Sequence, residues 1–254
     1  MYKLLNAGFT RLKKNRIFWS LIIITLVIAS ITLLNQYKET VHYRETGFPI
    51  DHTEELLVDF TKIIGFFIAV FTSLFVGTEY SNGTIRNKIV IGHSRTSIYL
   101  SNLFISIVVG LLIELIYMLV VSIIAIPMFG KIQIPLSQFA FIIVDIIMII
   151  IAYSSLFNLI GMICTDVTVS TVISILLTLV MLIGFLNIPS ENNTIFNIVP
   201  ARQAILITDC LRTMEMPEEF KVNVNFEILS LYSLVFIVLI NSIGLLCFIR
   251  KDLK

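Results

Sequence analysis

Charge is scarce in this sequence. Asp, Glu, Lys and Arg together make up 14% of the 254 residues, against 57% hydrophobic residues. Soluble domains carry about 25% charged residues. The shortage excludes an ordinary soluble domain. With a mean hydropathy of +0.96 it makes the chain an integral membrane protein. Cysteine is scarce too. Cys164, Cys210 and Cys247 are scattered and odd in number; they lack zinc-ligand spacing and suggest no disulfide framework. No glycine-rich loop is present to cradle phosphates, so the chain is not expected to bind ATP in the usual way. No His-Glu-x-x-His or Gly-x-Ser-x-Gly stretch points to a hydrolase. His42, Asp51 and His52 share one loop, but nothing in the pattern fixes that loop as a metal site. No catalytic, cofactor or metal site is therefore expected. The net charge of +1 argues for no nucleic-acid partner, because the charges divide by membrane side. No small-residue cleavage site follows the first apolar run, which is expected to stay in the membrane.

What the sequence has is six long apolar runs, at residues 17–34, 56–76, 98–126, 139–160, 167–188 and 228–249. Each is long enough to cross a bilayer as a helix, and the third is long enough to tilt. Before them lies a basic amphipathic stretch within residues 1–16. Tyr2, Leu5, Phe9 and Leu12 fall on one helical face and Lys3, Asn6, Thr10 and Lys13 on the other, which suits a helix lying in the membrane surface. Trp19 sits near the start of the first run, a place suited to an amphipathic ring at the interface. Asp59 and Lys62 are spaced to pair. Pro127, Gly130 and Pro135 mark a turn between the third and fourth runs. Residues 189–227 form a long polar segment. Within it Pro200 can start a helix, and Ala201, Ala204, Ile205, Thr208 and Leu211 share one face. One or two short helices at or dipping into the outer surface are expected there. The fold class is all-α, a single membrane domain.

Lysine and arginine set the orientation. Lys3, Arg11, Lys13, Lys14 and Arg16 precede the first run, Arg86, Lys88 and Arg95 lie between the second and third, and Arg250, Lys251 and Lys254 follow the last. Those segments are predicted to be cytoplasmic, with both termini inside a cell membrane. The acids concentrate in the opposite segments. Among them Glu215, Glu218, Glu219 and Glu227 form an outer region that reads either as an ordinary solvated acidic loop or as an attraction for cationic peptides.

The chain is organised around residues 78–97, the polar island between the second and third runs. Ser81 is read as capping a short helix that begins near Gly83. Gly92 ends it, because glycine accepts the left-handed backbone that closes a helix. Ser94 caps the next helix. By local pattern alone the stretch reads either as an ordinary solvated loop or as a short helix held between two spans, suited to pass force to a soluble partner.

Two acids fall inside apolar runs, Glu114 and Asp145. Each costs about 2.5–3.5 kcal/mol at the bilayer centre, which the surrounding Leu and Ile, at roughly −0.5 kcal/mol each, outweigh. They read either as a transport path or as interhelical hydrogen bonds. Ser170, Ser174 and Thr178 recur every fourth residue on the fifth run, a stripe suited to helix packing and a second candidate for the path. Asn158 and Asn241 are read as packing residues.

The polar island resembles the ABC transporter type-2 permease family. The family pattern has an acid at the inner end of the second span, a Gly-Thr pair, a short helix and a Ser-Arg before the third span. Here these are Glu79, Gly83-Thr84, residues 85–91, and Ser94-Arg95 followed by Tyr99. The likeness extends to the whole architecture. Its style is similar to the small permeases of Gram-positive bacteria that export, or give immunity to, bacteriocins and lantibiotics. The resemblance implies a permease subunit that pairs with a second, identical or different, permease subunit. Two soluble ATPase subunits would bind ATP and Mg, which this chain would not. It makes residues 83–91 a coupling helix, carrying Ile85 and Ile89, with Glu79, Arg86 and Arg95 as anchoring charges and Asp166 as a smaller contact. A channel or secondary carrier using Glu114 and Asp145 is the alternative, although no clear inverted repeat is visible. A non-transporting scaffold or sensor is a third reading.

Overall fold

The computed structural model describes residues 1–46, 53–130, 132, 134–186, 196–214, 221–222 and 224–251. Asp51, His52, Glu215, Glu218, Glu219 and the last residues of the predicted fifth span lie outside them. The described chain is all-α. Helix α1 (Tyr2–Lys13) precedes α2 (Arg16–Thr46), and α3 (Thr53–Val58) runs through a 3₁₀ turn at Asp59–Lys62 into α4 (Ile64–Ser81). Then come α5 (Thr84–Val90), α6 (Arg95–Phe129), α7 (Leu136–Ile163), α8 (Val167–Leu186), α9 (Pro200–Arg212) and α10 (Phe226–Arg250). Among the described residues, six segments are long and apolar enough to cross a membrane: Arg16–Val41, Thr53–Ser81, Arg95–Phe129, Leu136–Ile163, Val167–Leu186 and Phe226–Arg250.

The α3–α4 segment is the most buried of the six, and α7 the next. Helix α4 packs on α6, α7 and α8, while α7 also carries α10. These two helices form the centre. Phe60, Phe71, Tyr117, Tyr153 and Phe157 fill it, with the Phe60 and Tyr117 rings stacked 4.7 Å apart. Helices α8 and α10 and most of α2 turn broad apolar faces outward, as expected of surfaces meeting lipid or another membrane subunit. Two glycines permit close approaches between spans. A Cβ on Gly110 of α6 would stand 2.7 Å from Ile150 of α7, and one on Gly244 of α10 would stand 2.3 Å from the Tyr99 hydroxyl of α6. Tyr99 donates to Asn241 Oδ1 (3.3 Å), Asn241 donates to Ser155 Oγ (2.8 Å), and Asn158 donates to the Tyr99 carbonyl (3.4 Å). A polar clamp thus ties α6, α7 and α10 where the sequence suggested packing asparagines.

Two boundaries and the burial of one helix differ from expectation. Helix α2 does not stop near residue 34. It continues to Thr46, 31 residues in all, or about 46 Å at 1.5 Å per residue, so its polar end projects beyond a ~30 Å hydrocarbon core. Pro127 lies inside the last turn of α6, and Gly130, at φ 114°, ends that helix. The burial concerns α9. It starts at Pro200 as predicted, but it is not a surface helix: Arg202, Gln203, Leu206, Ile207 and Cys210 are buried along with the expected face. It packs against α3, α7 and α8. Its Gln203 accepts a short hydrogen bond from Ser233 of α10 and donates to the Asn197 carbonyl at 2.7 Å. At this far end Asp59 and Lys62 pair at 2.9 Å, and Arg212 reaches Glu55 at 2.5 Å.

Replacing Gly244 with Val should drive the side chain into Tyr99 and open the polar clamp. Overpacking of this kind costs about 1–3 kcal/mol. We expect a lower midpoint of thermal unfolding in detergent, while Gly184→Ala, whose added Cβ meets open space, leaves the midpoint unchanged. Equal midpoints for both variants would contradict the packing.

Candidate functional site

The basic end of the bundle is built on Glu79. The residue sits in the last turn of α4 and is almost fully buried, at 3% exposure. A carboxylate taken out of water needs compensating partners, and three elements supply them. Arg11 of α1 donates to its Oε1 at 2.6 Å and Lys88 of α5 donates to the same oxygen at 2.5 Å. Asn102 of α6 donates to its Oε2 at 2.9 Å. Arg11 also donates to Thr78 Oγ1 at 2.7 Å and to the Phe75 carbonyl, and its guanidinium lies 3.9 Å over the Phe75 ring. Burial pulls the Arg11 guanidinium below its ordinary range, and Glu79 works against that shift. One carboxylate therefore joins the interfacial helix, the second and third spans and the short helix between them.

Helix α5 forms where the island predicted it. Its start differs in one respect. Ser81 belongs to α4, where it donates to the Thr78 carbonyl, and the N-cap is Gly83 in the left-handed region at φ 64° with no side-chain cap. Gly92 follows the helix at φ 96°, and Ser94 Oγ accepts from the Ser97 amide, capping α6 as predicted. The seven residues of α5 are too few to be stable alone. Ile85 is buried, at 1% exposure, beside Leu4, Ile98, Tyr99 and Phe248, and Ile89 packs partly against them. Lys88 is held by Glu79. The remaining residues point outward: Arg86 and Asn87 are exposed, and Val90 and Ile91 are 78% and 77% exposed. Two adjacent aliphatic side chains left in solvent are an unusual choice at the end of a pinned helix.

The other predicted residues are distributed as follows. Glu79 and Ile85 face inward and hold the helix in place. Thr84 is half-buried at its first turn. Arg95 donates to the carbonyls of Phe248, Ile249 and Lys251, so it closes the C-terminus of α10 rather than reaching out. Lys251 does the same for α7, donating to the carbonyls of Met162 (2.8 Å) and Ile163 (2.7 Å). Its ammonium lies 4.6 Å over Tyr80, and burial lowers its pKa from the ordinary lysine value. Cations at helix C-termini meet the negative end of the helix dipole. Asp166 accepts from the Thr168 and Val169 amides and caps α8.

The candidate path residues are not gathered into one site. Glu114 accepts from Thr61 at 2.7 Å, and Asp145 accepts a short hydrogen bond from Ser230. Each bridges its helix to a neighbour through a hydroxyl. Ser170, Ser174 and Thr178 are buried against α4, where Ser73 donates to Ser174 Oγ at 2.9 Å. That stripe is a helix contact. Reading the sequence alone misses Arg11, Lys88 and Asn102 as partners of Glu79, and misses Val90 and Ile91. The exposed pair was visible as apolar residues before Gly92; the ion pairs, which reach back as far as Arg11, carried no local signal.

A family model described as ABC-2 family transporter protein matches residues 4–185, from α1 through α8. No curated protein matches the chain.

Glu79→Gln keeps the shape of the side chain and leaves Arg11 and Lys88 without a counter-charge. Removing one partner from a buried ion pair costs several kcal/mol, and about 3 kcal/mol is expected here. Hydrogen exchange over Thr84–Val90 should quicken at least tenfold, with the amides of α7 unaffected. Unchanged exchange in α5 would mean that Glu79 does not hold it.

Proposed function

The chain belongs to the ABC-2 transporter family, and from that premise we propose that it is the membrane-spanning permease subunit of an ATP-driven transporter. In this reading α5 is the coupling helix. The observation that carries it is the outward pair Val90–Ile91 on a helix whose other side is fastened by Ile85 and Lys88. Such a tip, flanked by Arg86, suits an apolar cleft on a soluble ATPase subunit, which would bind ATP and Mg. The basic end is then cytoplasmic, in keeping with its lysines and arginines, and the membrane is the cell membrane. A second permease subunit would complete the unit against the apolar faces of α2, α8 or α10.

Motion follows from the connections. Closure of the ATPase pair displaces α5, and the Glu79 links carry that displacement to α4, α6 and α1 together. Transport results if ATP binding favours one arrangement of the spans over another. The cargo we propose is a peptide, an antimicrobial or another amphipathic compound that is exported or cleared. The support is the likeness to antimicrobial-peptide permeases and the acids of the far end, of which Glu227 is described.

Val90→Asp with Ile91→Asp places two charges on the proposed contact without touching the Glu79 links. We expect the variant to insert in the membrane as the parent does and to lose at least tenfold of the nucleotide-binding subunit that co-purifies from native cells in mild detergent. Undiminished co-purification would overturn the assignment of α5. A parent chain that comes out alone, and conducts ions in ATP-free liposomes in a manner dependent on Glu114 or Asp145, would favour a carrier instead.

A further inference from the structure

The charges around Glu79 do not balance. Arg11 and Lys88 share one carboxylate oxygen, at 2.6 and 2.5 Å, so two cations meet one anion. Among the described residues, Glu79 is the acid that acts on Arg11. Arg11 is not sealed in; 31% of its side chain is accessible, and it forms part of the wall of a groove of about 830 Å³ between α1 and the corner that follows α4. The groove is lined by Lys3 and Arg11 of α1 and by Lys14 at its C-cap, with Thr10, Asn15 and Asn82 beside them, and none of the described residues that line it is an acid. Lys3 and Lys14 themselves are exposed. A partly desolvated positive charge facing a basic concavity with side-chain amide donors is suited to an anion.

The position says which anion. The opposite face of α1 lies on the third span, with Phe9 edge-on to Phe104 at 6.3 Å and Gly8 against Ile105. Just beyond α1, the exposed Trp19 donates to the Lys13 carbonyl at 3.0 Å, a placement typical of the headgroup level. We propose that this groove binds the phosphate-bearing headgroup of an anionic membrane lipid. The phosphate sits at the Arg11–Lys14 end, where the Asn15 and Asn82 amides supply neutral donors, and Lys3 adds to the attraction from the other end. The bound phosphate offsets the surplus charge beside Glu79. Membrane composition then acts on the same carboxylate that holds α5. The inference rests on the membrane reading of the chain and not on the ATPase assignment.

The test uses the full chain in bilayers of phosphatidylcholine and phosphatidylglycerol, released into detergent and weighed intact by native mass spectrometry. The parent should retain phosphatidylglycerol in preference to phosphatidylcholine. Lys3→Gln with Lys14→Gln should retain at least fivefold less, while Lys13→Gln, an exposed position outside the groove, matches the parent. Equal retention by the double variant, or the same loss in Lys13→Gln, would overturn the site. Displacement of the lipid by millimolar inorganic phosphate would make it a free-anion site and overturn the lipid assignment. A double variant that keeps its lipid but loses a co-purifying ATPase would assign the groove to that protein instead. No arm needs the ATPase to be present for the lipid result to be read, so failure here leaves the permease reading standing.

Discussion

A buried carboxylate governs the basic end of this protein. Glu79 loses its hydration at the end of α4, and an uncompensated charge there would cost several kcal/mol. The chain meets that cost with donors from three separate elements, Arg11, Lys88 and Asn102. Compensation thereby becomes architecture. Helices α1 and α5 are too short to be stable in water alone, yet both are fixed because each contributes a cation to the same oxygen. Arg95 and Lys251 extend the scheme by closing the C-termini of α10 and α7. Four of the spans, α4, α6, α7 and α10, end on this lattice of charge and carbonyl groups.

The two ends of the bundle are held differently. At the basic end, ions and helix termini do the work, and the free surface is a small apolar tip, Val90 and Ile91. At the far end, α9 is buried among α3, α7 and α8; hydroxyl and amide contacts such as Ser233–Gln203 join it to α10, and the Arg212–Glu55 ion pair ties it to α3. Between them the mostly apolar helices are joined by buried polar contacts, among them Ser73–Ser174 and Asn241–Ser155, and the two intramembrane acids are each tied to a neighbouring helix by a hydroxyl. Rigid ends joined by smooth helix contacts suit a unit whose spans shift as bodies.

Much of this was legible from the chain itself. The six spans follow from run length and hydropathy, because in lipid the backbone must satisfy itself and helices are the available answer. The bounds of α5 were readable because Gly83 and Gly92 mark its two ends at positive φ, and Ser94 is a cap by chemistry. Other features depend on distant partners. Nothing near Glu79 in sequence announces Arg11, 68 residues away. The burial of α9 all round was hidden because Arg202 and Gln203 read as surface residues until Ser233 and the neighbouring helices are placed against them. The extension of α2 was missed because its polar residues resemble a loop once the membrane is passed, although they are adequate helix formers. The hydroxyl stripe of α8 gave its face correctly; whether that face met a helix or a path depended on α4.

The central claim is that α5 is a contact surface for a soluble ATPase, presented by the Glu79 links. The most direct measurement is site-specific photocrosslinking from position 91 in intact native cells, with position 180, on the outward apolar face of α8, as the comparison. The account predicts one dominant adduct from position 91 with a soluble nucleotide-binding protein, absent from position 180. No protein adduct from position 91, or the same adduct from both positions, would contradict it.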